Sequence, residues 1–537
     1  MAARGITVLG RTRQMKTTIS LTLVALGLAG CGGGEGGSTS APNPQPPPWQ
    51  AGVFSPAANF AARCALPRSG TDPITGRAYP DVPGSVLYED DWLRSWTNDL
   101  YLWFSEVTDQ DPAQSQFSDP LSYFAVLKTM AVTPSGAAKD KFHFTYTTAA
   151  WEALSQNGVQ AGYGLQWAII SATPPRKVVV AYTEPNSPAT TAPANLARGA
   201  SVLTIDGVDI NDGTMAGIGI LNAGLGPSAV GQTHTFGILD LGAASSRTVS
   251  LTSANITSTP VQNVGTIATA SGTVGYMLFN DHLATSEGEL VTAFKTLQMA
   301  GVSDLVLDIR YNGGGYLAIA SEVAYMIAGA GPTTGQTFEL AQFNSKHPTV
   351  DPVTGQTIVP APFLNLTQGF STTAGVALPT LKLLRVFVLT GPNTCSASEA
   401  VMNGLRGVNV QVIQIGSTTC GKPYAFYPQD NCGTTYFSIE IKGVNAVAFG
   451  DYPDGFTPQN ATVPAGVSTP GCSVADDFTH ALGAPAEGRL AAALSYRTAA
   501  TCPAATGFGP GMLQKSLASV DGRLLESPLR SLRLMRR

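Results

Sequence analysis

Leu384-Arg385-Val386-Phe387-Val388-Leu389-Thr390, then Ser396-Ala397-Ser398-Glu399-Ala400-Val401-Met402-Asn403-Gly404-Leu405, then Val410-Gln411-Val412-Ile413-Gln414-Ile415 read as an apolar strand, a helix and a second apolar strand. Runs this apolar belong to strands covered on both faces, and a strand–helix–strand unit brings its two strand ends to one edge of the sheet. The same alternation extends N-terminally. A strand is expected over Val274–Asn280, a helix over Glu287–Met299 and a strand over Asp304–Ile309. The last of these leads through Asn312-Gly313-Gly314-Gly315 into a helix over Tyr316–Ala328. An α/β domain over residues 265–495 is predicted from this pattern.

Further out the pattern changes. From Gly158 it turns to short β-runs, Lys177–Tyr182 and Val202–Ile205, with a hairpin turn at Asp206-Gly207. Trp92, Trp96, Leu100 and Trp103 fall on one helical stripe, and a second helix is expected over Leu121–Met130. A small helical domain is assigned to residues 55–157 and a β domain to 158–264. Residues 496–537 form a basic C-terminal extension with no assigned chemistry.

Arg11, Arg13 and Lys16 precede an apolar run that ends Leu28-Ala29-Gly30-Cys31. The run is too short for a ~30 Å hydrocarbon core and reads as a signal segment over residues 1–30. Its ending resembles the bacterial lipobox, which implies lipidation of Cys31. Residues 31–54, rich in Gly, Ser and Pro, read as a flexible tether. The expected location is the bacterial cell envelope on the periplasmic side, anchored to a membrane by an N-terminal lipid. Gly32 after the cysteine favours the outer membrane over the inner.

The 537 residues are 44% hydrophobic and 12% charged, with a net charge of −5. This excludes wholesale disorder and gives no basic surface for nucleic acid. Six cysteines remain besides Cys31, an even number without zinc spacing, so no metal site is expected. Disulfides are expected instead, with Cys420 and Cys432 closing a short loop.

Two segments carry chemistry. In Thr394-Cys395-Ser396-Ala397-Ser398-Glu399, Ser396 and Glu399 have capping-box spacing at a helix start. One strand later comes Thr419-Cys420-Gly421-Lys422. A serine needs a base to become a nucleophile, and lysine serves only when uncharged, a state that apolar surroundings favour. Pro423, Tyr424, Phe426 and Tyr427 supply such surroundings. Free backbone N–H groups at a helix start, as at Ala397, and in a glycine loop, as in Asn312-Gly313-Gly314-Gly315, can stabilise an oxyanion.

Leu305–Gly315, Ser396-Ala397-Ser398-Glu399 and Gly421-Lys422, in that order, resemble the C-terminal processing (tail-specific) protease family of serine peptidases. The resemblance implies a multidomain α+β protein with a Clp/crotonase-like ββα core. It implies Ser396 as nucleophile, Lys422 as general base and an oxyanion hole from Gly314 and Ala397, with no cofactor. Members often carry a Gln four residues after the lysine. Phe426 stands there, and Gln429 is the nearest substitute. Gly162-Tyr163-Gly164-Leu165 resembles the carboxylate-binding loop of a PDZ domain, which implies capture of a polypeptide's free C-terminus. Two rival readings remain at this stage: a catalytically inactive PDZ-type peptide-binding protein, and a Ser/His hydrolase using His143. Cys395 is read as structural rather than as a nucleophile.

Overall fold

The computed structural model describes residues 45–462 and 466–503 and the backbone of residues 533–534. The proposed signal segment, Cys31 and most of the tether lie outside the described residues. Among the described residues no helix is long and apolar enough to cross a membrane.

The α/β region is built on one six-stranded sheet. Its order is Val261–Thr269, Gly272–Phe279, Asp304–Asp308, Arg385–Thr390, Gln411–Gly416, Gly471–Ser473. The first pair is antiparallel and every later pair is parallel. Alternate side chains feed two cores. Met277, Phe279, Leu305, Leu307, Val386 and Val388 pack under the helices Ser286–Met299, Leu317–Ala328 and Ala397–Gly407. Tyr276, Leu278, Val306, Phe387 and Leu389 face the helix Gly488–Ala499. Burying one such side chain contributes about 1.5–3 kcal/mol, so the sheet is the rigid part of the molecule. Parallel strands end at one edge, and the segments carrying Gly313–Gly315, Ser396 and Lys422 all leave from it.

The elements of this region match the sequence expectation to within a residue or two. Its borders do not. Val261 already pairs with Phe279, ahead of the expected border at residue 265, and the last helix runs on to Ala499. The β domain is a sheet ordered Arg247–Thr252, Thr233–Leu239, Ser201–Ile205, Lys177–Thr183, Leu165–Ser171, which leaves Leu165–Ser171 at an edge. The hairpin at Asp206-Gly207 is present.

The N-terminal region is less separate than its helices suggested. Ser85 caps the helix Val86–Leu100, and the Trp92 and Trp96 rings stack at 5.2 Å. Trp103 falls outside the stripe because the helix stops at Leu100, and it packs edge-on against Tyr424 at 4.8 Å. The second helix covers only Pro120–Phe124. Thr129 ends any continuation, because its N–H goes to the Tyr101 hydroxyl and its Oγ1 to Glu106. Strand Phe144–Thr147 pairs with Thr434–Phe437, and Cys64 is bonded to Cys432, so this region is stitched to the α/β region. The expected Cys420–Cys432 bond is therefore replaced. Cys420 bonds Cys395, and Cys472 bonds Cys502.

A buried ion cluster sits under the sheet edge. Arg310, fully buried, donates to Asp308, Asp476 and both oxygens of Glu487. Arg198 of the β domain also reaches Asp476, at 2.7 Å. Against the cost of burial, Arg489, Arg310 and Arg198 hold the Asp476 carboxyl below the usual range. Arg310→Met would strand three acids at the cluster and is expected to cost about 3–5 kcal/mol, read as a lowered urea midpoint. A midpoint equal to wild type would show that the cluster contributes no net stability.

Candidate active site

Ser396 is the residue before the helix Ala397–Gly407, in a backbone conformation that a non-glycine residue seldom adopts, φ 62° and ψ −113°. Such strain persists only where the surroundings enforce it. Here the surroundings are Glu399. Its carboxyl is wholly buried and accepts the N–H of Ser396 at 2.9 Å and the N–H of Lys422 at 2.8 Å, both on Oε2. Oε1 accepts the N–H of Gly421 at 2.9 Å and the Thr419 hydroxyl at 2.5 Å. The backbone nitrogens of Ser396 and Lys422 are thus no farther apart than two hydrogen bonds laid end to end. The Cys395–Cys420 disulfide, with Cα atoms 5.1 Å apart, joins the same two segments one residue before the serine and two before the lysine. Cys395, Glu399 and Cys420 are the only grouping of metal-ligand residue types among the described residues, and the disulfide consumes two of its donors.

The Lys422 amine lies 4.0 Å from the centre of the Phe426 ring and 4.8 Å from that of Phe142. Tyr101, Trp151, Tyr424, Phe437 and Ile439 complete this apolar cluster. Burial pushes the Lys422 pKa well below the usual lysine value, opposed by Asp140 first and Glu399 second. Asp140 is itself fixed, accepting from the Tyr101 hydroxyl at 2.7 Å and the Phe142 N–H at 2.9 Å. Lys141 Nζ donates to the Cys420 carbonyl at 2.7 Å, tying the segment 140–143 to the lysine loop. The Ser396 hydroxyl is buried and has no hydrogen-bond partner among the described residues.

The glycine loop is held by Asn312 and His282. Asn312 Nδ2 donates to the Phe279 carbonyl, and its Oδ1 lies 3.0 Å from His282 Nδ1. Burial lowers the His282 pKa to about 3, so the ring is neutral and Nδ1 carries the proton towards Asn312. Gly315, at φ 135°, admits no side chain: a Cβ would lie 2.3 Å from the His282 carbonyl oxygen. Gly314 N–H, the expected oxyanion donor, is instead given to Asn312 Oδ1 at 2.9 Å. The N–H groups of Gly313 and Ala397 have no acceptor among the described residues.

Two other expected residues are placed differently. Gln429 lines a cleft with Trp92, Trp96 and Asp99, and Phe426 is the residue packed on the amine. His143 stacks on Phe124 at 3.7 Å with Nε2 on the Phe124 carbonyl at 2.8 Å, and burial lowers its pKa to about 4. Its Nδ1 lies 3.8 Å from Asp140 Oδ2. In the β domain, Gly164 takes φ 74°, and a Cβ there would sit 2.1 Å from Ser187 Cβ. Tyr163 is buried edge-on against Phe236, Gly162 ends a strand paired with Ala254, and Leu165 begins the edge strand.

Asp140, His282, the Cys395–Cys420 bond and the hub role of Glu399 were not foreseen from sequence. Only Glu399 had left a signal there, as the second half of a capping box.

A hydroxyl at a strained strand-to-helix elbow, with a buried lysine and a glycine loop at the same carboxyl edge of a parallel sheet, is an arrangement that can support acyl transfer. Residues 273–427 match the model of peptidase family S41. A crystal structure from Bacteroides fragilis NCTC 9343, provisionally named an S41 protease, shares the fold with a TM-score of 0.56. It is 23% identical over 79% of this chain and 98% of its own. The photosystem II D1 C-terminal processing protease aligns over 72% of this chain and 93% of its own, at 19% identity and a TM-score of 0.41. A search of curated proteins returns no significant match.

Proposed function

We propose that the protein is a serine endopeptidase in which Ser396 attacks the scissile carbonyl and neutral Lys422 takes its proton. The observation that carries this is the single Glu399 oxygen that receives both the Ser396 and the Lys422 N–H. The hydroxyl reaches the amine by rotation about side-chain torsions, with both backbones already held. Lys422 then returns the proton to the leaving amine, and water releases the acyl-enzyme. Ala397 N–H is one oxyanion donor, and Gly313, rather than the hydrogen-bonded Gly314, is the second. Asp140 positions the amine in the place a glutamine was expected to fill.

The Leu165–Ser171 edge would receive a polypeptide C-terminus as an added strand, with the Gly162–Leu165 turn facing its carboxylate. Lipidation at Cys31 would hold the enzyme at a membrane facing the periplasm. To test this, unfolded envelope proteins are incubated with the full chain or with Ser396→Ala, and the new termini are read by mass spectrometry. Termini made by the wild type and absent with Ser396→Ala are expected. Identical termini from both would dismiss Ser396 as nucleophile.

A further inference from the structure

Cys395 precedes Ser396 by one residue and Cys420 precedes Lys422 by two, and the two cysteines are bonded to each other. The reaction itself uses neither sulfur. The Cys420 N–H donates to the Thr394 carbonyl at 3.0 Å, and the Cys395 N–H to the Asn312 carbonyl at 3.1 Å. Cys420 Sγ lies 3.5 Å from Glu399 Oε2, the oxygen that receives the N–H groups of Ser396 and Lys422. The other two disulfides serve other joints: Cys64–Cys432 ties the N-terminal region to the α/β region, and Cys472–Cys502 ties a sheet strand to the chain after the last helix. Cys395 is fully buried, in one cluster with Tyr424, Phe426 and Phe437. Two unbonded thiols need full van der Waals separation where bonded sulfurs do not, and a close-packed interior yields only by shifting its neighbours. With Cys395 walled in, the displacement falls on Cys420, which is partly exposed and already against Glu399 Oε2. A freed Cys420 S–H also competes for that oxygen with the N–H groups it holds. The strained Ser396 elbow depends on that hold.

We propose that the Cys395–Cys420 disulfide is a redox latch on this site: the Ser396/Lys422 pair is competent while the bond is intact and is reversibly disabled when a dithiol reduces it. The effect on turnover rests on the peptidase reading, but the loosening of the two segments is measured without turnover. In the reduction, a thiolate of the dithiol attacks the accessible Cys420 sulfur, and the S–S electron pair leaves on Cys395, which takes up a proton. The second thiolate then attacks the mixed disulfide, Cys420 leaves and is protonated, and the dithiol ends as its own disulfide. Two electrons pass to the protein, and a disulfide oxidant removes them again.

The test holds the full chain at graded ratios of reduced to oxidised dithiothreitol. A chelator is present, because the freed thiols and Glu399 lie within 4.8 Å of one another and form a set of metal-ligand types. Alkylation and peptide mass spectrometry score each disulfide separately. Loss of the Cys395–Cys420 bond is expected to lower kcat/KM for an unfolded protein by ~10-fold or more, with recovery on re-oxidation. The pair Cys64→Ala with Cys432→Ala, and the pair Cys472→Ala with Cys502→Ala, should keep the response. Cys395→Ala with Cys420→Ala should abolish it. Hydrogen exchange over residues 394–400 and 419–422 should quicken on reduction, in wild type and in Ser396→Ala alike. Turnover unchanged by loss of that bond, or a response that tracks another disulfide, overturns the proposal and leaves the peptidase reading standing. No turnover in either redox state, with exchange quickened at both segments, upholds the latch on those segments and removes the peptidase reading. Exchange that stays unchanged on reduction, or that quickens across the whole chain because the bond yields only on unfolding, overturns the latch.

Discussion

Lys422→Met is expected to lower kcat/KM by about 10⁴-fold or more while leaving the protein at least as stable as wild type at neutral pH. The two halves of this result come from one cause. Burial among Phe142, Phe426 and their neighbours pushes the Lys422 pKa well below the usual ~10.4, against the opposing pull of Asp140 and Glu399. The folded chain then carries an uncharged amine where the unfolded chain carries an ammonium. The unfolded state binds more protons between the depressed pKa and ~10.4, so stability rises with pH across that window, and at neutral pH the lysine is a liability. Methionine, close in shape and without the charge, removes that liability together with the base. A charged, ion-paired lysine predicts the opposite, a loss of about 3–5 kcal/mol on truncation. The wild-type rate should rise with pH and level off below ~10.4, because only the neutral amine accepts the serine proton. Thermal unfolding at neutral pH and a pH–rate profile check both halves.

Glu399→Ala is expected to be the most damaging single change to the folded site. It leaves three buried N–H groups and the Thr419 hydroxyl without acceptors. Each unsatisfied group costs about 1–3 kcal/mol, so a loss of about 4 kcal/mol or more is expected, together with activity, because the Ser396 elbow is no longer held. Glu399→Gln keeps the shape and part of the acceptor capacity and should fall between Ala and wild type. Denaturant unfolding of the three chains measures the order. A Glu399→Ala midpoint equal to wild type would remove the carboxyl from its place as the link between serine and lysine.

The six-stranded sheet and its helices were legible because apolar periodicity is a local property, and local properties survive into the fold. That Ser396 and Lys422 lie at the same edge was legible because one strand–helix–strand unit must return both segments there. What could not be read depends on distant segments meeting. Cys432 pairs with Cys64 across the whole chain, and the spacing of six cysteines contains no trace of that choice. Asp140 acquires its role only because strand Phe144–Thr147 pairs with Thr434–Phe437 and draws residues 140–143 onto the lysine loop. Glu399 satisfied a purely local explanation, the capping box, which concealed that the same carboxyl also binds Gly421 and Lys422. The helix expected over Leu121–Met130 failed for a similar reason, since Thr129 is claimed by Tyr101 and Glu106 from elsewhere in the chain. The Gly314 assignment came from the family pattern, and only coordinates could show its N–H turned to Asn312.

The central claim, an uncharged Lys422 activating Ser396, is tested most directly by the rate at which a phosphonate reagent modifies the protein across the pH range. The adduct is located by peptide mass spectrometry in wild type and in Lys422→Met. One adduct is expected, on Ser396, forming faster as pH rises through a single ionisation below ~10.4, with that reactivity lost in Lys422→Met. An adduct on another residue, or Ser396 labelling at an equal rate in the two proteins, would contradict it.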